Sequence, residues 1–119
     1  QAACRRIVSA MTDHPEMVAG AGRFDTHLMQ AGNGQIVSKG GAEGYQGLAT
    51  WLKDKPDHNI ALGLALKIED GNGRRGTPLA TMEVLRQLGV LEKLTPEALK
   101  TLADFDHRPL DNYRNIPVG

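Results

Sequence analysis

The 119 residues carry 14 Lys and Arg against 14 Asp and Glu, giving a formal net charge of zero, and 40% of them are apolar. That length suits one domain, the balanced charge lacks the cationic excess of a nucleic-acid binder, and no run approaches the roughly 18 apolar residues of a membrane span. The single Cys4 permits no intrachain disulfide and fits a reducing cytoplasm, while His14, His27, His58 and His107 fall in no metal-ligand spacing, so no metal is expected within the chain.

Gln1 opens the chain without a methionine, and a helical pattern begins almost at once without a cap signal, which reads as an internal boundary of something longer. Cys4, Ile7, Val8 and Met11 recur at helical spacing and predict a helix over 2–13 with those residues on its buried face, where a thiol is inert. Asp13-His14-Pro15 ends it, because the residue before a proline is pushed out of the helical region, and Pro15 then opens a short turn of helix through Val18. After the permissive Gly20-Ala21-Gly22, Asp25 or Thr26 is expected to cap a helix burying Leu28 and Met29.

Gly32-Asn33-Gly34 is a turn signal, and three strands follow, at 35–39, 45–52 and 60–68. In the last, Ile60, Leu62, Leu64, Leu66 and Ile68 alternate strictly, so one face packs on a core. Pro56-Asp57, in the loop 53–59, has the chemistry of a hairpin turn. Beyond a charged, glycine-rich loop, Thr77-Pro78 predicts a capped helix running to about Leu88 and stopped by Gly89, and Thr95-Pro96-Glu97 predicts a second one ending near Leu102. Helices, then three consecutive strands, then helices make an α+β class: an antiparallel sheet of about three strands flanked by N- and C-terminal helices.

Chemistry is sparse. Ser9 and Ser38 are the only serines, neither begins an S-x-x-K sequence, and no G-x-S-x-G is present, so no pair of nucleophile and base is evident. The glycines of 20–22 lack both a preceding strand and the third glycine of a dinucleotide fingerprint, since Asp25 stands there. Asp70 and Asn72 suggest a calcium loop, but Arg74 occupies a ligand position and the closing Glu is missing. The stronger candidate is Ser38-Lys39-Gly40-Gly41-Ala42-Glu43-Gly44: a cation at a strand end beside bare backbone that a substrate can approach closely. Taken alone, those glycines are better explained as serving a turn.

HPEMVAGAGRFDT at 14–26, SKGGAEG at 38–44 and GLALKIEDGNGRR at 63–75, in this order, resemble the asparaginase II family, the thermolabile Rhizobium-type L-asparaginases. The resemblance covers nearly all of the chain but implies only the C-terminal portion of a larger enzyme, so residues 1–119 read as a single domain or fragment. It implies a fold shared with the serine glutaminases and the penicillin-recognising enzymes, the β-lactamase/glutaminase-like fold, in which a Lys-(Ser/Thr)-Gly element lines the active site. Lys39-Gly40-Gly41 matches that element except that Gly40 has no hydroxyl. The implied activity is hydrolysis of the asparagine side-chain amide to aspartate and ammonia, with the serine nucleophile, its lysine partner and any zinc in a missing N-terminal half, so the chain alone is expected to be inactive.

On this resemblance Lys39 is the expected catalytic residue, and Gly40, Gly41, Ala42, Glu43, Arg23, Asp25 and Lys67 are the expected substrate-binding positions. The implied partners are asparagine and the missing half, in a homodimeric parent. A glutaminase or β-lactam-active relative, and a non-enzymatic binding or dimerisation module that pairs through an exposed sheet edge, are the alternatives.

Overall fold

The computed structural model describes residues 1–55, 58–107, 112–114 and 116–118, with the backbone alone at 52–55 and 58–59. Helices α1 (Ala2–Asp13), α2 (Pro15–Ala19) and α3 (Phe24–Gly32) lead into an antiparallel sheet ordered β1 (Ile36–Gly40), β2 (Tyr45–Lys55), β3 (His58–Lys67). Helices α4 (Gly73–Gln87) and α5 (Pro96–Asp106) follow. The α+β architecture expected from the order of elements is the one observed.

Strand register sorts the side chains. Ile36 pairs with Thr50, Ser38 with Leu48 and Gly40 with Gln46, and Leu48 pairs in turn with Leu64. Because side chains alternate along a strand, these residues share the face that α3 and α4 cover, with α5 packed on those two helices. The core lies there: Leu28, Ile36, Leu85 and Leu102 are fully buried and Met82 nearly so. Each contributes about 1.5–3 kcal/mol by leaving water. The opposite face carries Val37, Lys39, Gly47, Ala49, Ala61, Gly63 and Ala65, which are half-buried or exposed.

Several boundaries differ from expectation. Helix α3 begins at Phe24 with Arg23 as its cap residue, so Asp25 and Thr26 lie inside the first turn rather than capping it. Thr26 Oγ1 instead donates to the Gly20 carbonyl at 2.6 Å, tying the linker to the helix. Helix α4 starts four residues before the expected cap: Asn72 Oδ1 accepts from Arg75 N at 3.3 Å, and Pro78 falls inside the helix. A proline so near the start removes one helical hydrogen bond, a loss that the packing of Thr77, Thr81, Met82 and Leu85 offsets. The β2–β3 ladder extends through Lys55 and His58, taking in most of the expected loop, and the Pro56-Asp57 turn lies outside the described residues. Helix α5 runs to Asp106, one turn beyond Leu102, with Thr95 Oγ1 accepting from Ala98 N at 3.2 Å as expected of a cap. Cys4 is exposed rather than buried: α1 buries no residue, and Ile7 on the same stripe is 60% exposed. Helical periodicity identifies an apolar stripe but not whether anything covers it.

Candidate active site

The end of β1 and the first turn of α3 meet through one carboxylate. Asp25 is only 8% exposed. Its Oδ1 accepts from Ser38 Oγ at 2.6 Å and from Gln46 Nε2 at 2.6 Å, and its Oδ2 accepts from Gly40 N at 2.7 Å. Gln46 Nε2 also donates to Ser38 Oγ at 2.8 Å. A buried charge is tolerated only when hydrogen bonds replace its water, and here donors from two strands do so. Gly40 is what permits the approach: a Cβ there would stand 3.2 Å from Asp25 Oδ2. The missing hydroxyl at position 40 therefore has a steric reason, since a larger residue would press on the carboxylate.

Beyond Gly40 the chain reverses through a 3-10 turn, Ala42–Gly44, before entering β2. Glu43 has φ 56°, a left-handed conformation that only glycine adopts freely, and Gly44 follows at φ 72°. The turn is tied down on both sides. Gly41 N donates to the Tyr45 carbonyl at 2.9 Å, Ile68 N donates to the Gly44 carbonyl at 2.9 Å, and Lys67 Nζ donates to the carbonyls of Glu43 and of Ile68. Lys67 thus caps the strained turn from behind.

A cavity of about 770 Å³ opens over this corner, bounded by the strand end, the start of α4 and the end of α5. Of the eight expected site residues, Arg23, Asp25, Lys39, Gly40, Gly41 and Glu43 line it, whereas Ala42 and Lys67 do not. Lys39 is exposed, and its Nζ donates to the Gly40 carbonyl at 2.6 Å, holding the ammonium at the strand end. No ion pair joins Arg23 to Asp25 among the described residues.

Three residues given no site role from the sequence, Ser38 having only opened the candidate segment, also belong to this corner. Ser38 and Gln46 complete the polar cluster around Asp25, and Thr77 lines the cavity with a buried hydroxyl that has no partner among the described residues. Alternation with Leu48 could have placed Gln46 on the buried face, but nothing local links it to a residue 21 positions earlier. Thr77 was hidden by the proline after it, which imitates a helix start.

Neither serine is placed as a nucleophile. Ser38 is fully buried and spends its proton on Asp25, and Ser9 donates to Asp13 Oδ2 at 2.8 Å on exposed α1. Among the described residues no three His, Cys, Asp or Glu side chains gather as a metal-binding group. No helix among those residues is long and apolar enough to cross a membrane.

The family model described as L-asparaginase II matches residues 1–119. A search of curated proteins found no match.

Proposed function

Since the chain belongs to the L-asparaginase II family, we propose that it is the C-terminal part of an enzyme that hydrolyses the side-chain amide of asparagine, with the attacking serine supplied from outside residues 1–119. The observation that carries this reading is the strand end itself: an exposed lysine held beside a cavity, next to a backbone turn locked in a strained conformation. Strained backbone of this kind concentrates where a site must hold one geometry.

In this reading a serine oxygen attacks the amide carbon, ammonia leaves with a proton delivered to its nitrogen, and water then cleaves the ester to give aspartate. The Lys39 ammonium stabilises negative charge that builds up during attack and serves proton transfer, roles suited to a compact cation on a flexible stem. Arg23 and Glu43, on the cavity wall, are proposed to meet the two charged ends of the amino-acid substrate, the carboxylate and the ammonium respectively. The full burial of Ser38 and, among the described residues, the lack of any base other than Asp13 bonded to Ser9 support a nucleophile from outside the chain.

The test is product analysis on the full-length protein that carries these residues, with asparagine and glutamine side by side. Aspartate and ammonia in equal amounts, from asparagine in preference to glutamine, are expected. Glutamate as the faster product would favour a glutaminase instead, and no amide hydrolysis would overturn the reading. Residues 1–119 alone should release no ammonia above background; turnover by them would place the nucleophile within the chain.

A further inference from the structure

We propose that Asp25 is a positioning residue for this hydrolysis: its buried carboxylate grips the two residues that flank Lys39 and so sets where that lysine stands. The inference rests on the reading of Lys39 given above and adds the group that holds it. Oδ1 accepts from Ser38 Oγ and Oδ2 accepts from Gly40 N, at 2.6 and 2.7 Å. Lys39 lies between them; its side chain leaves from the other face of the strand, and its Nζ returns to the Gly40 carbonyl at the strand end, on the rim of the cavity. A third donor, Gln46 Nε2, brings in the neighbouring strand, which is paired to Gly40 in register. The strand end is therefore fixed at two consecutive same-face positions and at its partner, all by one side chain on α3.

An acceptor is needed here in any case, because an apolar residue on α3 would leave the Ser38, Gln46 and Gly40 donors without this partner. What a carboxylate adds beyond satisfying them is direction. Two acceptor oxygens on a planar group specify the orientation of the strand end far more tightly than packing does. Reacting groups must be held to fractions of an ångström, and a displacement of about 1 Å costs about 100-fold in rate. Glycine at position 40 serves the same end, since only without a Cβ can the backbone N–H reach Oδ2 at this distance unobstructed. Asp25 thus lies on the cavity wall, but all three hydrogen bonds of its carboxylate are accepted from protein donors.

The experiment compares wild type, Lys39→Ala, Asp25→Asn and Ser38→Ala in the full-length protein, measuring kcat and KM for asparagine hydrolysis together with hydrogen exchange at the Gly40 amide. Asparagine keeps the shape but turns an NH2 toward either Gly40 N–H or the Ser38 and Gln46 donors. Asp25→Asn should lower kcat about 10- to 100-fold with KM within about twofold, and the Gly40 amide should lose protection while the other β1–β2 amides keep theirs. Ser38→Ala, which removes a single donor, should lower kcat in the same direction by less, and it carries the test if Asp25→Asn does not fold. Wild-type kcat in both folded variants beside an inactive Lys39→Ala overturns the positioning role and leaves the function of Lys39 intact. A rise in KM with unchanged kcat means that Asp25 touches substrate, and also overturns it. Wild-type turnover by Lys39→Ala overturns the underlying reading instead.

Discussion

Gly40, Glu43 and Gly44 show how closely the corner of the site is drawn. A Cβ at Gly40 meets an Asp25 oxygen at 3.2 Å, and that oxygen cannot retreat without giving up a hydrogen bond. Gly40→Ser should therefore cost about 1–3 kcal/mol in denaturant melts. Gly44→Ala should cost more, because its φ of 72° disfavours any side chain and its Cβ would stand 2.8 Å from Ile68 Cβ. Glu43→Gly works in the opposite direction. It relieves a left-handed non-glycine residue at φ 56°, and should raise stability by up to about 1 kcal/mol after the added freedom of the unfolded chain is subtracted. If Glu43 meets the substrate ammonium, the same variant raises KM, so melting and kinetics move apart. Cys4, exposed on α1, should react with iodoacetamide in the native isolated chain at the rate of an unfolded control. At this scale the sequence exposed the cation at a strand end and the absent hydroxyl at position 40. It could not expose the reason for that absence, because Asp25 approaches from 15 residues away in the chain.

Helices α4 and α5 form a unit that local signals anticipated in part. Thr95 caps α5 as its side-chain chemistry dictates, so Thr95→Ala should cost about 1 kcal/mol. Leu102 is the one buried residue of α5, and Leu102→Ala should cost about 2–5 kcal/mol and loosen the helix from α3. The outer side of the pair is held by Arg86, which donates to both oxygens of Asp106 at 2.6 and 2.7 Å and to Glu83 at 2.5 Å. Hydrogen bonds from Gln87 and then Arg86 hold the Glu83 carboxyl below its ordinary value of 4.5. A depressed value means that the ionised form is favoured in the folded state. Its contribution to stability is thus present above pH 4.5 and lost as pH falls through the lowered value. Melts of wild type and Glu83→Gln should differ slightly at neutral pH and converge in acid; a gap that widens in acid would reverse the sign. The start of α4 lies earlier than Thr77-Pro78, a strong local cap signal, suggests, because it depends on Asn72 and on Gly73, where an added Cβ would stand 3.0 Å from Gly44 Cα. That contact belongs to the tertiary structure and leaves no local trace.

The molecule as a whole is open. Its accessible surface is 8229 Å², where a compact monomer of this mass would expose about 6300 Å². The radius of gyration is 15.2 Å, against about 13.5 Å for a globule of this length. The open surface includes α1, which buries no residue, and the small-residue face of the sheet beside Lys39. Surface of that kind supports the proposal that further protein packs against this side of the sheet and brings the nucleophile to the strand end, where Lys39 borders the cavity. Periodicity and strand order made the α+β layout legible, since each depends on neighbouring residues. Which faces stay open depends on long-range packing. The most direct test of the account is asparagine hydrolysis by the full-length protein and its Lys39→Ala variant, both checked for native folding. The account predicts equal aspartate and ammonia from wild type and a loss of about 100-fold or more in kcat for the variant; wild-type turnover by a folded Lys39→Ala would contradict it.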